Sequence, residues 1–445
     1  MRLTATRWAE ALGFGASRSP ARTAAPRRSG LRVAWVVTAS LALSACGGQI
    51  EGALTPVPDA VGVGSIVDIL VATTREPTAD QASLFTGERG PRLAFVDIAV
   101  SIPPDNARTV GEVQRAKSAT GDPKRDFVVV STQHLELQQA IDTFNGRVKS
   151  VPGRRVMVFV HGYNNRFDDA VFRLAQIVHD SDAEVVPLLF TWPSRGSLLA
   201  YGYDRESANY SRTELETVLR ALARDKTVAE VNILAHSMGN WLTMEALRQM
   251  AIRDGSISPK ITTVMLAAPD VDVDVFREQM RDIGPDRPDM VLFVSGDDRA
   301  LAVSRRLWQS SARLGSIDPS QEPYRTEIEN TGLTVIDLTK VESGDRLHHG
   351  KFAQSPEVVR LIGTRLMEGQ TLTDQHASFG DRVIQLSTGV ATAAGTAVGM
   401  AVSAPVAVVD PSTRRTFNDT LEATLASSPP MVEEDKPVVE GSTSQ

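Results

Sequence analysis

One serine in this chain stands where an apolar strand pattern gives way to a helical pattern with no spacer between them. The run Val231–Leu234 breaks off in Ala235-His236-Ser237-Met238-Gly239, and helical periodicity follows at once. A serine hydroxyl is a weak nucleophile until it is held out on a tight corner and given a base, and a strand-to-helix elbow is one way to do this. Strand and helix cross closely at such a corner, so the residues two before and two after the serine must be small. Ala235 and Gly239 meet that demand. The usual residue at the first of these positions is glycine, so the departure is one methyl group. A serine that merely caps a helix N-terminus would look the same in isolation. The assignment therefore turns on what other strand ends supply.

Directly after Val156–Val160 comes His161-Gly162-Tyr163-Asn164-Asn165. A His-Gly pair there lets the backbone fold back and aim the next amide at a developing oxyanion, which makes the Tyr163 and Met238 N–H groups the expected donors. The bland alternative is a plain Gly/Asn turn. After Val294 come Ser295-Gly296-Asp297-Asp298-Arg299-Ala300, and after the last apolar run come His348-His349-Gly350-Lys351-Phe352. Serine, acid, histidine is the chain order of an α/β-hydrolase triad. Only His348, His349 and His376 lie beyond the acids, and His376 falls in a polar tail, a poor place for a base. Asp298 is the preferred acid, with Asp297 beside it and Asp270, in Ala268-Pro269-Asp270, as rivals. Asp270, Asp272 and Asp274 hint at a calcium loop, but its glycine and terminal glutamate are missing. No other metal-ligand spacing occurs, and neither a metal nor a cofactor is expected.

These corners need a scaffold that brings distant strand ends together. From Arg155 onward, Val156–Val160, Val185–Phe190, Val231–Leu234, Ile261–Ala267, Val291–Val294 and Thr334–Leu338 alternate with helical or mixed segments. This rhythm predicts an α/β fold: a mostly parallel sheet covered by helices on both faces, with ligands beyond the carboxyl ends of the strands. Val67–Ala72, Leu93–Ile102 and Phe127–Val130 read as three leading strands, and the charged, aperiodic stretch from Pro104 to Arg125 as a mobile surface insertion. Tyr201, Tyr203 and Tyr210 follow a strand end, where they either wall an acyl pocket or pack as ordinary core. No insertion between Gly239 and Asp298 is long enough for a large lid.

A net charge of −7 offers no basic face for phosphates, so a nucleic-acid partner is not expected. The first 45 residues are nevertheless basic and then apolar: seven arginines against Glu10, followed by an uncharged run from Val33 to Ala45. That is the architecture of an export signal. Leu43-Ser44-Ala45-Cys46-Gly47 resembles the lipobox of bacterial lipoprotein precursors, and Cys46 is the only cysteine, so acylation of its sulfur is expected. The expected division is a signal peptide at 1–45, a tether at 46–66, the α/β domain at 67–369 and a tail at 370–445. Within the tail, 388–409 is uncharged, with Ala391, Gly395, Gly399 and Ser403 at four-residue intervals. That segment suits a surface-lying or self-associating role at least as well as a membrane span.

As a set, His161-Gly162-Tyr163-Asn164-Asn165, Phe190-Thr191-Trp192-Pro193-Ser194, Ala235-His236-Ser237-Met238-Gly239, Ala268-Pro269-Asp270 and His349-Gly350-Lys351-Phe352 resemble a bacterial α/β-hydrolase family described as esterase/lipase superfamily proteins. The likeness runs from about Val67 to Met367. It implies an α/β-hydrolase fold with Ser237, Asp298 and His349 as the triad. It also favours His349 over His348, because the family's last histidine precedes a short stretch ending in an aromatic residue, here Phe352; His348 is then a solvated loop residue. The expected activity is carboxylic ester hydrolysis on a small-molecule or lipid acyl ester, by an exported protein anchored in the cell envelope through Cys46. The competing readings are an acyltransferase and a non-catalytic envelope scaffold built on the same fold.

Overall fold

The computed structural model describes residues 52–118, 120–308, 312–368, 382–387 and 390–393. The expected signal peptide, Cys46, His376 and nearly all of the 388–409 segment lie outside the described residues. Six strands run parallel through the centre: β4 (Arg155–Val160), β5 (Val186–Thr191), β6 (Glu230–His236), β7 (Ile261–Ala267), β8 (Asp289–Val294) and β9 (Thr334–Lys340). They are near-continuous runs of Val, Ile, Leu, Met and Phe because both sheet faces are covered, and an alternating pattern would put polar groups into one of two cores. Successive residues serve opposite cores, Val156, Val158 and Val160 on one face and Met157 and Phe159 on the other.

The helices follow the same division. α1 (Leu137–Ser150), α3 (Tyr201–Arg224), α4 (Met238–Asp254), α5 (Val273–Ile283) and α7 (Tyr324–Thr331) feed the first core, whereas α2 (Phe167–Ser181) and α9 (Pro356–Glu368) feed the second. Each fully buried Val, Leu or Ile contributes about 1.5–3 kcal/mol. Together they make the central strands a stiff frame for the loops at their ends. α6 (Arg299–Trp308) and the one-turn α8 (Lys351–Gln354) belong to those loops.

With β1 (Ser65–Pro77), β2 (Phe85–Ile102), β3 (Val128–Leu135), β10 (Val383–Ser387) and β11 (Val390–Ala393), the described residues form a sheet of eleven strands in the order β11-β10-β9-β8-β7-β6-β4-β5-β1-β2-β3. The three leading strands, β1, β2 and β3, are joined antiparallel, with β1 then parallel to β5. Strand order reverses where β4 sits between β6 and β5, the position at which open α/β sheets form their ligand crevice, and the carboxyl ends of β4 and β6 there carry His161 and Ser237. Among the described residues no helix is long and apolar enough to cross a membrane.

Three expectations about the periphery are revised. The stretch from Pro104 to Arg125 is docked on α2, not loose: Arg108 pairs with buried Asp180 at 2.5 Å, the Gly111 amide donates to the same carboxylate at 2.8 Å, and Arg115 pairs with Asp168 and Asp169. Its charges look like solvent-facing ones in sequence because their acidic partners lie on a helix more than fifty residues away. The expected tether is held from Leu54, whose side chain is fully buried and whose amide donates to Ala82 O in the loop between β1 and β2, while the Val57 amide donates to Val129 O on β3. The sheet also continues past residue 369: β10 (Val383–Ser387) pairs parallel with β9, and β11 (Val390–Ala393) closes the edge antiparallel.

Candidate active site

Ser237 joins β6 to α4 with φ 54° and ψ −120°, a left-handed conformation that a serine adopts only when its surroundings enforce it, at about 1–3 kcal/mol. The enforcement is visible. The Ser237 amide donates to Ala267 O at 2.9 Å, while its carbonyl accepts from the Asn240 amide, the Asn240 side chain and the Asp270 amide at 3.1, 3.0 and 3.2 Å. Asn240 also donates to Ala267 O at 2.8 Å, so one fully buried side chain ties the elbow to the end of β7.

The small residues are there because neighbouring backbone is close. A Cβ on Gly239 would lie 2.4 Å from His161 O, and one on Gly162 would lie 2.8 Å from the Ser237 Cβ. The His-Gly corner thus lies directly against the elbow. Met238 begins the 17-residue α4, so its amide sits at the positive end of the helix dipole beside Ser237.

His161 is a structural histidine with a job at this corner. Its Nε2 accepts from the Trp192 amide at 3.1 Å, so the ring proton is on Nδ1, which donates to Gly162 O at 2.8 Å. Burial holds its pKa down at about 3, with the adjacent Arg75 charge pushing the same way, so the ring stays neutral. The Gly162–Tyr163 peptide is trans, so pinning the Gly162 carbonyl on one side also fixes the Tyr163 N–H in the opposite direction. Trp192 stacks on the ring at 4.9 Å and donates its indole N–H to His161 O at 2.9 Å.

The Asp297–Asp298 and His348–His349 loops meet. His349 Nδ1 lies 2.7 Å from Asp298 Oδ2, and Asp298, 2% exposed, accepts the Leu301 amide on its other oxygen at 2.9 Å. Burial alone pushes the His349 imidazole down. The charge and hydrogen bond of Asp298 overcome it, helped by the Asp270 and Asp345 charges, and leave the pKa above its ordinary value. Asp345 accepts the amides of His349 and Gly350 at 2.8 and 3.0 Å, which fixes the backbone that carries the ring. The His349 ring packs 4.8 Å from that of His236, and His236 Nε2 bonds His349 O at 3.3 Å, so the His349 loop lies over the residue preceding Ser237.

Beside this pair runs a second one that the sequence did not disclose. His348, expected to be a solvated loop residue, bonds Asp297 Oδ2 through Nδ1 at 2.6 Å. The other Asp297 oxygen accepts Lys351 Nζ at 2.7 Å, and the same buried ammonium reaches Ser295 Oγ, Leu338 O and Thr339 O at 3.1, 3.0 and 3.3 Å. Lys351 thereby staples the acid loop to the end of β9. Two adjacent acids facing two adjacent histidines were the available signal, since consecutive side chains on two neighbouring loop segments can pair one to one.

Asp270 lies in a buried cluster with Arg313, which it meets at 3.3 Å, Tyr201 at 2.6 Å and Ser304 at 2.7 Å. Its carboxylate is committed there, although its charge reaches His349. Of the three tyrosines, Tyr201 touches this cluster. Tyr203 instead stacks under Arg195 and bonds Glu88, and Tyr210 bonds Gly90 O, both away from the elbow. Among the described residues no group of three or more His, Cys, Asp or Glu is arranged to hold a metal ion.

A strand-order switch with an elbow serine at β6, an acid after β8 and a histidine after β9 defines an α/β hydrolase. The chain belongs to the family described as alpha/beta hydrolase of unknown function (DUF900), which it matches over residues 137–365. It is similar to one of two fungal esterases from Rhizomucor miehei, at 14% identity over 78% of this chain and 92% of that one, with a TM-score of 0.35. A lin2722 gene product from Listeria innocua gives 11% identity over 52% of this chain and 98% of that one, with a TM-score of 0.31. The uncharacterized protein alr1448 of Nostoc sp. is 23% identical over 132 residues, 24% of this chain. The match spans about a third (34%) of that relative's length.

Proposed function

We propose that the protein is a serine hydrolase that cleaves carboxylic esters through an acyl-enzyme on Ser237. His349 is the base, Asp298 orients it, and the Met238 and Tyr163 amides stabilise the oxyanion. The observation that carries this reading is the pairing of a strained elbow serine with a half-buried His349 on a buried Asp298, the histidine loop packing on the residue next to that serine. Asp298 holds the proton on Nδ1 of His349 and leaves Nε2 to accept one.

As the Ser237 oxygen bonds to the acyl carbon, its proton passes to His349 Nε2 and the carbonyl electrons move onto the oxygen. Each amide donor there contributes about 3 kcal/mol to the transition state. Collapse of this intermediate expels the alcohol, which takes the proton back from His349. Water then repeats the sequence and releases the acid. The chemistry uses no cofactor or metal. The substrate class is a small-molecule or lipid acyl ester, and the protein is exported and held in the cell envelope through a lipidated Cys46.

Rapid mixing with a p-nitrophenyl ester tests the chemistry. A burst of nitrophenolate stoichiometric with protein, and an acyl group on the Ser237 peptide by mass spectrometry, is the expected result. Turnover without acylated Ser237 would overturn it.

A further inference from the structure

Large apolar side chains left in water gather around the carboxyl ends of the strands. Leu198 and Leu199 are 65% and 98% exposed on a 3-10 turn (Leu198–Ala200) whose carbonyl at Leu198 accepts the Tyr163 hydroxyl at 2.5 Å. Val303 is 52% exposed on α6, and Leu347 is 45% exposed immediately before the paired histidines. α6 and the histidine loop are joined: the Arg299 amide donates to Leu347 O at 2.9 Å and its guanidinium to Arg346 O at 3.2 Å. The inner face of α6 is closed, with Leu301 buried and Ser304 bonded to Asp270 and Tyr201.

The outer face of the same unit is cationic. Arg299, Val303 and Arg306 fall at positions i, i+4 and i+7, one side of a helix, with Arg305 exposed beside them and Arg346 exposed on the adjoining loop. Among the described residues none of these four arginines has an ion pair, in a chain whose net charge is −7. The acids on the neighbouring loops are taken: Asp297 by His348 and Lys351, Asp345 by three backbone amides. Uncompensated arginines interleaved with exposed aliphatic side chains match a surface that is anionic outside and apolar within, as a bilayer with acidic headgroups is. Scattered exposed apolar residues need no explanation, but a group around one crevice, flanked by like charge, does.

We propose that α6, the Arg346–Leu347 loop and the Leu198–Leu199 turn form a docking face for an anionic phospholipid surface, which sets the mouth of the crevice against the bilayer. Binding of this face requires none of the ester chemistry, so loss of one reading leaves the other standing. The arginines supply attraction over about a Debye length, and the aliphatic tips enter the headgroup region once contact is made.

The test reads the face itself, so the basic, apolar N-terminal segment does not confuse it. In the full chain carrying Cys46→Ser, a nitrobenzoxadiazole label is placed at Val303→Cys or, as a control, at Ile252→Cys, exposed at the far end of α4. Vesicles of phosphatidylcholine mixed with phosphatidylglycerol should shift the Val303 label to the blue and leave the Ile252 label unchanged. Phosphatidylcholine alone or raised salt should weaken the shift. Arg305→Glu with Arg306→Glu should lower partitioning at least ~30-fold, about five-fold for each arginine lost before charge reversal is counted. The same double variant should hydrolyse a soluble ester as the parent does. No shift at Val303, equal shifts at both labels, or indifference to lipid charge would overturn the proposal. A stronger response to polyglutamate than to vesicles would assign the face to an acidic protein and overturn it as well.

Discussion

Replacing Asp298 by asparagine separates the two adjacent His–Asp pairs more sharply than any truncation. Asp298 accepts the Leu301 amide on Oδ1 and faces His349 Nδ1 with Oδ2. Asparagine keeps the first bond and the side-chain volume, but presents an amide N–H to the imidazole. Nδ1 must then accept, the ring proton moves to Nε2, and the base can no longer take a proton from Ser237. A wrong tautomer of this kind costs about ten-thousand-fold in kcat, or about 5 kcal/mol of transition-state stabilisation. The parallel change Asp297→Asn retains an oxygen for Lys351 and perturbs only His348. That pair has side chains 30% and 36% exposed and is worth at most about 1 kcal/mol, so less than tenfold is expected. The assay is kcat on a chromogenic ester for both variants, with thermal melts to confirm folding. If Asp298→Asn loses less than tenfold, or Asp297→Asn falls as far as Asp298→Asn should, the assignment of acid and base is wrong.

Three other outcomes follow from the geometry. Because the His349 pKa is raised above its ordinary 6.5, the ring is protonated and idle at a higher pH than a free imidazole, so the acid limb of kcat/KM should lie above 6.5. The stability from this raised pKa runs the other way, being complete below 6.5 and lost as pH rises through the folded value. Asp345→Asn removes one of the charges that raise it and should move the acid limb down, measured from pH–rate profiles; an unmoved limb would refute that electrostatic assignment. Gly239→Ala would put a methyl group 2.4 Å from His161 O and 2.7 Å from Val160 O, both backbone atoms. The expected cost is at least about 1–3 kcal/mol in denaturant unfolding together with loss of turnover, whereas an unaltered midpoint would contradict the close crossing at the elbow.

The parts of the site legible in the sequence are those that local chain grammar dictates. Ala235 and Gly239 around Ser237, and Gly162 after His161, are small because two backbones must cross, and that requirement shows in residue type. The parallel core was legible because burial on both faces leaves unbroken apolar runs. What escaped depends on partners distant in the chain. Arg108 and Arg115 look solvated until α2 supplies Asp180, Asp168 and Asp169, and Lys351 looks like a surface lysine until Asp297 and two carbonyls of β9 surround it. Asn240 escaped because a polar residue in the first turn of a helix is common, and only its two carbonyl partners reveal a brace. β10 and β11 escaped because strands of five and four residues are too short to show a period.

The most direct test of the central claim is labelling of the folded protein with a fluorophosphonate probe, followed by mapping of the modified peptide. A single adduct on Ser237, abolished in Ser237→Ala while the melting temperature holds, is the predicted result. An adduct on another residue, or full labelling of Ser237→Ala, would contradict it.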